Sequence, residues 1–283
     1  MTRHDLIIDG DNLREEYGVH LCKGSVANFI SLPQFKDMDS DDWAEEDSVD
    51  VECSSPVFRR KEFELTIAGD EEGVLYWSSA NTYSYLSVTI DNTPIVLQKC
   101  LTLGTTAYSS LNGLHMATVR FASDDDPYHL LDNHTAADFP QLPHDEGWWF
   151  VRSGTLQNFG DIGVRVLRGT EDSFARRTAA KRPLEREIST VAGVIYDSHN
   201  GTPTYEAKAI TLYCMLSAGS SASEFWDRYL YFLQMCTRRG GVTIVHGTEQ
   251  GKFVYENMRV TDYVPSQPVP FIKFSVTLRR IKI

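Results

Sequence analysis

The sequence predicts a mainly β protein with some α structure (α+β), built as two tandem, duplicated β-sandwich or barrel domains. Three observations predict this class. Residues recur at a constant spacing of 145 positions, several segments alternate polar and apolar side chains as strands do, and one segment carries the signature of a packed helix.

The first observation is an internal repeat whose period is too long for a solenoid and indicates a duplicated domain. Half of the 283 residues is long enough to bury a core of its own. Because Gly24 and Gly169 each follow an alternating segment and a basic residue, we expect each in a turn that needs a positive φ or a close approach of the backbone. Six of the identities at this spacing are Gly18 and Gly163, Val19 and Val164, Gly24 and Gly169, Phe29 and Phe174, Lys36 and Lys181, and Thr66 and Thr211.

Alternation of polar and apolar residues places the strands. Residues 62–67 and 272–279 alternate cleanly, as strands with one buried face do. The stretch from Asp124 to Gly147 holds seven acids and no Lys or Arg, together with prolines, which is the composition of a linker. The predicted division is a first domain over 1–125, an acidic Pro/Asp-rich linker over 126–149 and a second domain over 150–283.

One helix is predicted near 221–237, in the second domain. Ser221 and Glu224 fit a capping box, in which the two side chains satisfy unpaired backbone donors. Apolar residues from Phe225 onward recur at helical spacing, and Gly240 follows the end. The apolar stripe is wide, so we expect the helix to pack across a sheet, with an exposed aromatic partner face as the alternative. The matching region of the first copy, 71–85, is shorter and lacks the stripe.

Composition excludes several classes of function. The net charge of −12 argues against nucleic acid as a partner, because phosphate binding needs a basic face. The five cysteines are widely spaced without a CxxC pair, so neither a zinc site nor a disulfide framework is predicted. Reduced thiols in a protein made in the cytoplasm are the simplest account. No secretory signal opens the sequence, and no run of apolar residues is long enough to span a membrane.

The sequence motifs for metal binding and for catalysis are incomplete or absent. Asp37, Asp39 and Asp41 begin a calcium-loop pattern, but the sixth position is Asp42 where Gly is needed and the twelfth is Ser48 where Glu is needed. The sequence contains no metalloprotease motif, no nucleophile elbow of a hydrolase and no phosphate-binding loop motif. We therefore expect no catalytic residue, no metal and no cofactor, and we expect that the protein is not an enzyme.

Charge is distributed unevenly along the chain. Residues 37–52 hold nine carboxylates and no Lys or Arg, whereas residues 165–186 hold seven basic residues and three acids. Two solvated loops are the simpler interpretation, and complementary patches on neighbouring copies of one subunit are the alternative. The interface residues predicted on that alternative are Asp37, Asp39, Asp41, Asp42, Glu45, Glu46, Asp47, Arg168, Arg176, Arg177, Lys181 and Arg182.

Two stretches of the sequence resemble the distal tail and tail-hub (baseplate) proteins of tailed bacteriophages and prophages. The stretches are Ile8-Asp9-Gly10 with Tyr17-Gly18-Val19, and Lys36 with the cluster 42–47 that leads into 62–65. The resemblance implies tail-type β domains in a structural virion protein, which forms a ring at the distal end of a phage tail and connects the tail tube to the tip or baseplate. It implies a location in the virion tail after synthesis in the host cytoplasm.

The same resemblance implies the partners. They are further copies of the chain, in a hexamer or alternatively a trimer, together with the tube, hub or tip, and tape-measure proteins. Many distal tail proteins continue with a carbohydrate-module-like domain, whereas the second half here is a copy of the first, so the symmetry of the ring and its level in the tail stay open. The alternative function is a carbohydrate-binding or hydrolytic β module, which an aromatic groove at Trp77 or Trp148, or an acid pair in a pocket, would support.

Overall fold

The structure is a computed structural model that describes residues 4–22, 24–42, 48–79, 84–132, 139, 147–176, 178–182, 184–187, 192, 194–197, 204–217, 219–265 and 269–281. The elements of the first half are β1 (Leu6–Ile8), β2 (Asp11–Asn12), α1 (Leu13–Tyr17), β3 (His20–Leu21), α2 (Ser25–Ile30), β4 (Ser40–Asp41), β5 (Asp50–Val51), β6 (Lys61–Gly69), α3 (Glu71–Ser79), β7 (Leu86–Ile90), β8 (Val96–Leu111), β9 (Leu114–Ser123) and α4 (Tyr128–Leu131). Those of the second half are β10 (Trp148–Arg152), β11 (Thr155–Asn158), α5 (Phe159–Ile162), β12 (Val164–Val166), α6 (Thr170–Ala175), β13 (Leu184–Glu187), β14 (Val194–Asp197), β15 (Ala209–Leu216), α7 (Ala222–Cys236), β16 (Val242–His246), β17 (Glu249–Val264) and β18 (Phe271–Ile281).

Each half of the chain forms one seven-stranded antiparallel sheet, and the α+β class is confirmed. The hydrogen-bonded order is β2-β1-β7-β8-β9-β6-β3 in the first sheet and β11-β10-β16-β17-β18-β15-β12 in the second. Strands that correspond along the chain therefore hold the same place in both sheets, which is the outcome that a duplication predicts. Within the described residues each sheet runs from one edge strand to another, so each is an open sheet carrying helices and not a closed barrel. The limits of the two domains stay a prediction.

Helix ends repeat between the halves. Gly18 ends α1 with φ 64° and Gly163 ends α5 with φ 88°. Gly24 precedes α2 with φ 99°, and Gly169 precedes α6 with φ 97°. The predicted positive φ at Gly24 and Gly169 is thereby confirmed. Glycine is suited to both places because, without a Cβ, it adopts a positive φ without backbone strain.

The predicted correspondence of Thr66 with Thr211 is wrong by two residues. The backbone N–H of Cys22 donates to the carbonyl of Thr66 at 2.8 Å, and in the second half Leu167 donates to Tyr213 at 2.8 Å. Tyr213 is therefore the structural partner of Thr66, and the offset on this strand is 147 residues. Two additional residues lie in the second copy ahead of β15, and because side chains alternate with a period of two, such an insertion preserves the face of each residue.

An isolated bridge repeats with the same two offsets. Phe35 pairs with Phe58 in the first half, and Ala180 pairs with Tyr205 in the second. These pairs are related by 145 residues on one side of the bridge and by 147 on the other. In the first domain the segment after α2 therefore pairs with the segment before β6. In the second domain the segment after α6 pairs in the same way with the segment before β15.

A lysine that donates to a helix carbonyl is also repeated, buried in the first half and half-buried in the second. Lys61 donates from Nζ to the carbonyl of Phe29 and lies 5.5 Å from the centre of its ring. Lys208 donates in the same way to Phe174, at 5.3 Å from its ring centre. Burial lowers the pKa of Lys61 to about 7, and burial followed by the nearby charge of Arg280 lowers the pKa of Lys208. Each lysine satisfies a carbonyl in the last turn of its helix, where donors are otherwise missing.

The helix predicted near 221–237 is α7, and its packing in the core is confirmed. Ser221 caps it by accepting from the backbone N–H of Glu224 at 3.2 Å. Glu224 in turn binds the fully buried guanidinium of Arg228 at 2.7 Å, and Arg228 also donates to the carbonyl of Asp161 at 2.8 Å. Two hydrogen bonds from Ser220 lead the causes that lower the pKa of Glu224 to about 2.

The first half has a shorter helix, α3, where the sequence showed no apolar stripe. It forms because its buried side packs against the sheet and against α1. A Cβ at Gly73 would lie 2.4 Å from the carbonyl oxygen of Tyr17, so the contact with α1 depends on a missing side chain. Glu71 and Glu72 lie in the first turn, where negative charge favours a helix.

The two halves share one continuous apolar core. Helix α7 lies between its own sheet and the first half, where Tyr229 donates to the carbonyl of Ile30 at 3.2 Å. Tyr255 of β17 donates to the carbonyl of Pro33 at 3.1 Å, and its ring centre lies 5.1 Å from that of Phe35. The contact is therefore aromatic and buried, with tyrosine hydroxyls bonded to backbone carbonyls.

Candidate subunit interface

The acidic segment that was predicted to contact a neighbouring subunit forms a short hairpin, in which β4 pairs with β5. Asp39 and Asp41 are exposed. Asp37 is exposed as well and binds Arg59 at 2.7 Å. Glu45, Glu46 and Asp47 lie outside the described residues. The charge of this segment is therefore partly compensated by an arginine of the same domain.

Asp42 has a partner in the second half of the same chain. The carboxylate of Asp42 lies 2.5 Å from Nζ of Lys181, which also donates to the carbonyl of Ser48 at 2.8 Å. Ser48 further donates from its backbone to the carbonyl of Tyr205 and from its hydroxyl to that of Arg280. The sequence assigned Asp42 and Lys181 to a contact between subunits, whereas here they hold the acidic hairpin against the second domain of their own chain.

Three of the four remaining predicted basic residues lie on the surface of the second domain. Arg168, Arg176 and Arg182 are exposed, and Arg177 lies outside the described residues. Arg168 and Arg176 flank α6, and Arg182 follows the bridge residue Ala180. For these arginines and for the exposed acids, contact with a neighbouring subunit stays a prediction.

Exposed apolar side chains concentrate in the first domain. Of the thirteen large apolar residues that are exposed in the described part of the chain, ten lie before the linker. Five of them project from the hairpin that β8 and β9 form beyond the core, where clustered apolar exposure marks an interaction surface. These five are Leu103, Tyr108, Leu111, Leu114 and Met116.

The features that would favour the alternative function are present only in part. A cavity of about 550 Å³ between α6 and β15 is lined by the acids Asp172 and Glu206 and by the cations Arg176 and Lys208. Trp148 is only 1% exposed, so it has no face to offer a sugar. Across the described residues, no group of three or more His, Cys, Asp or Glu is arranged to hold a metal, and no helix is long and apolar enough to cross a membrane.

Sequence reasoning missed the lysines and the aromatic contact between the domains. Lys61 and Lys208, and likewise Phe58 and Tyr205, are related by 147 residues. A search at the spacing of 145 alone does not detect them. A second search with a two-residue insertion would have found both pairs.

The comparisons with known proteins give a structural match of low similarity. No protein-family model matches the chain, and a search of curated proteins finds no match. Among solved structures, the chain matches that of SPP1 Dit, described as a paradigm of the hub adsorption apparatus in phages that infect Gram-positive bacteria. The match covers 98% of both chains with 10% identity and a TM-score of 0.31. A TM-score this low carries no inference about fold or function.

Proposed function

We propose that this chain is a structural protein of a phage tail that forms a ring at the distal end and connects the tail tube to the tip or baseplate. The observation that carries the proposal is that two copies of one open sheet are joined through unlike faces. The segment after α2 in the first domain meets α7 and β17 in the second. A contact between unlike faces leaves one unused face at each end of the chain, and such units add head to tail into a ring when the rotation between them closes.

The surface supports an assembly role. The apolar hairpin of β8 and β9 and the edge strands of both sheets are surfaces that isolated proteins normally protect. Covering them with further copies, with a tube protein and with a hub, tip or tape-measure protein would remove them from solvent. A hexamer is the proposed copy number, with a trimer as the alternative. The sequence resemblance to distal tail and tail-hub proteins supports the same role.

Native mass spectrometry of the purified full chain tests this proposal. We expect one closed species whose copy number does not change with concentration above its assembly threshold. Exposed ion pairs contribute about 0–1 kcal/mol each, so higher salt should weaken assembly without abolishing it. A chain that stays monomeric at every protein and salt concentration would refute the ring.

A hydrolytic module is the second candidate, because Asp172 and Glu206 line the same cavity. Two carboxyl groups flanking a substrate are the machinery of most glycosidases. Incubation of the pure protein with cell-wall glycans, beside the Glu206→Gln variant, decides between the candidates. Under the structural proposal neither protein releases product, and product from the wild type alone would favour the enzyme.

A further inference from the structure

We propose that copies of this chain bind each other by repeating the contact between its own two domains. The second domain of one copy would place the surface around α6 against α3 and β8 on the first domain of the next. This inference rests on the proposed function, which requires self-association, and it adds which faces meet. Its partner is a second copy of this chain.

The first domain contributes one surface to the contact within the chain. We call this surface the α2 face, and it comprises Ile30, Pro33, Phe35 and Phe58. Phe35 and Phe58 are only 5% and 6% exposed, because Tyr255 of the second domain and Tyr128 of α4 pack on them. The α2 face is therefore occupied inside each copy.

The second domain carries an equivalent surface. Applying the two repeat offsets gives the α6 face, which comprises Ala175, Thr178, Ala180 and Tyr205. Backbone hydrogen bonds support the equivalence. The backbone N–H of Lys36 donates to the carbonyl of Val57, and that of Lys181 donates to the carbonyl of Thr204, each at 2.8 Å. Ala175 and Ala180 are exposed and Tyr205 is half-buried. Ala175 and Ala180 are thus exposed where their counterparts, Ile30 and Phe35, are covered.

The receiving surface in the second domain is the α7 face, which comprises Trp226, Tyr229 and Tyr255. Its counterpart in the first domain is the α3 face, which comprises Leu75 and Ser78. Thr102, which stands in the place of Tyr255, is only 6% exposed and does not belong to the open surface. For the helix residues, the first-turn hydrogen bonds from Val74 to Asp70 and from Phe225 to Ser221 set the correspondence.

A β-bulge sets the correspondence for the strand residues. The register shifts between Thr102 and Gly104 in β8, and it shifts between Tyr255 and Asn257 in β17. Thr102 and Tyr255 therefore occupy the same position in their sheets. The two domains thus present matching sites for one neighbour each.

The α3 face has the character of an unoccupied contact. Leu75, which takes the place of Trp226, is 42% exposed, and its neighbour Tyr76 is 55% exposed while stacking on Tyr17. In the contact within the chain, Trp226 donates from Nε1 to the carbonyl of Asn92 at 2.9 Å, on the other domain. Trp77, two positions after Leu75, has a buried Nε1 without a hydrogen-bond partner.

Charge on the two open faces is complementary. Glu71 and Glu72 are exposed in the first turn of α3, whereas Arg176 and Arg182 are exposed beside the α6 face. Opposite charges across an interface guide encounter and set register. The exposed acids of α3 thereby replace the acidic hairpin as the partner of these arginines, since the hairpin is held within its own chain by Lys181.

The repeated contact has a structural consequence. If the contact within a copy and the contact between copies are equivalent, the domains follow one another around the assembly at similar angles. Unlike faces then form a closed ring with twice as many domains as chains. The aromatic residues are fewer on the α6 face than on the α2 face, so we expect the contact between copies to be weaker than the contact within one.

One variant with a matched control tests the inference. Leu75→Lys places a cation within the α3 face, and Leu156→Lys is the control, because Leu156 is 54% exposed on β11 and lies outside both faces. Sedimentation of the full chains should show assembly weakened about tenfold or more for Leu75→Lys and unchanged for Leu156→Lys. Thermal unfolding of both variants should match the wild type, since neither side chain is buried.

Cysteine cross-linking gives a second measurement. Ser78 and Ala175 stand where Tyr229 and Ile30 meet in the contact within the chain. The double variant Ser78→Cys with Ala175→Cys should form covalent ladders with a short bifunctional thiol reagent, whereas Leu156→Cys with Ala175→Cys should not. If the wild type assembles but Leu75→Lys assembles equally well and no ladder forms, the ring stands and this contact is wrong. If the wild type never assembles, the proposed function and this contact both fail.

Discussion

The buried lysine of the first domain offers a test of the described core, because Lys61 is charged in water and enclosed in the fold. Lys61→Met keeps an unbranched side chain of similar length and removes the titrating amine. It also removes the donor to the carbonyl of Phe29. The variant therefore isolates how the free energy of unfolding depends on the charge of one side chain.

The magnitude follows from the pKa. Burial lowers the pKa of Lys61 from 10.5 to about 7, so between these values the folded protein holds the neutral amine and the unfolded chain the protonated one. Unfolding then takes up a proton, and the free energy of unfolding rises as the pH rises through this window. With about 1.4 kcal/mol for each pH unit, a change from about pH 7 to about pH 9 adds about 2 kcal/mol through Lys61 alone.

Urea unfolding of the wild type and of Lys61→Met across that pH range measures the effect as a difference, so that other titrating groups cancel. The wild type should gain stability relative to the variant as the pH rises. Lys208→Met is the matched control, and its difference should be shallower because Lys208 is only half-buried. A difference between wild type and Lys61→Met that is independent of pH would refute the burial of Lys61.

The repeated glycines give two further predictions, both measured by thermal or urea unfolding. Gly24→Ala should cost about 1–2 kcal/mol through its positive φ alone, since its Cβ would meet nothing within 4 Å, and Gly169→Ala should cost more because its Cβ would lie 3.3 Å from the ring of Tyr213. Equal stability of Gly24→Ala and wild type would contradict the described turn. Gly73→Ala should cost about 2 kcal/mol or more, because α3 must move away from the carbonyl of Tyr17. A neutral result there would show that α3 does not lie against α1.

Sequence patterns predicted those parts of the fold that local chemistry determines. Gly24 and Gly169 were found because a positive φ restricts the residue type at a single position. Helix α7 was found because its Ser221 cap and apolar spacing lie within one segment. Thr66 was matched to the wrong residue because threonine is common in strands, and a two-residue insertion leaves its alternation unchanged.

Other parts depend on contacts between distant residues and were not predictable in the same way. Helix α3 depends on the approach of Gly73 to α1, which no pattern within 71–79 reveals. The pattern of apolar residues around Tyr255 is the same whether its ring packs in its own domain or on Phe35 of the other. The sequence therefore does not reveal the contact between the domains. For the candidate interface, charge alone could not distinguish a partner in the same chain from one in a neighbour, as Lys181 and Asp42 show.

Class averages from electron microscopy of the purified chain, combined with its native mass, show whether a duplicated domain assembles through unlike faces into a ring. We expect a closed ring with two similar lobes for every chain in the measured mass. A monomer, or a dimer whose two chains meet through the same face, would contradict this expectation.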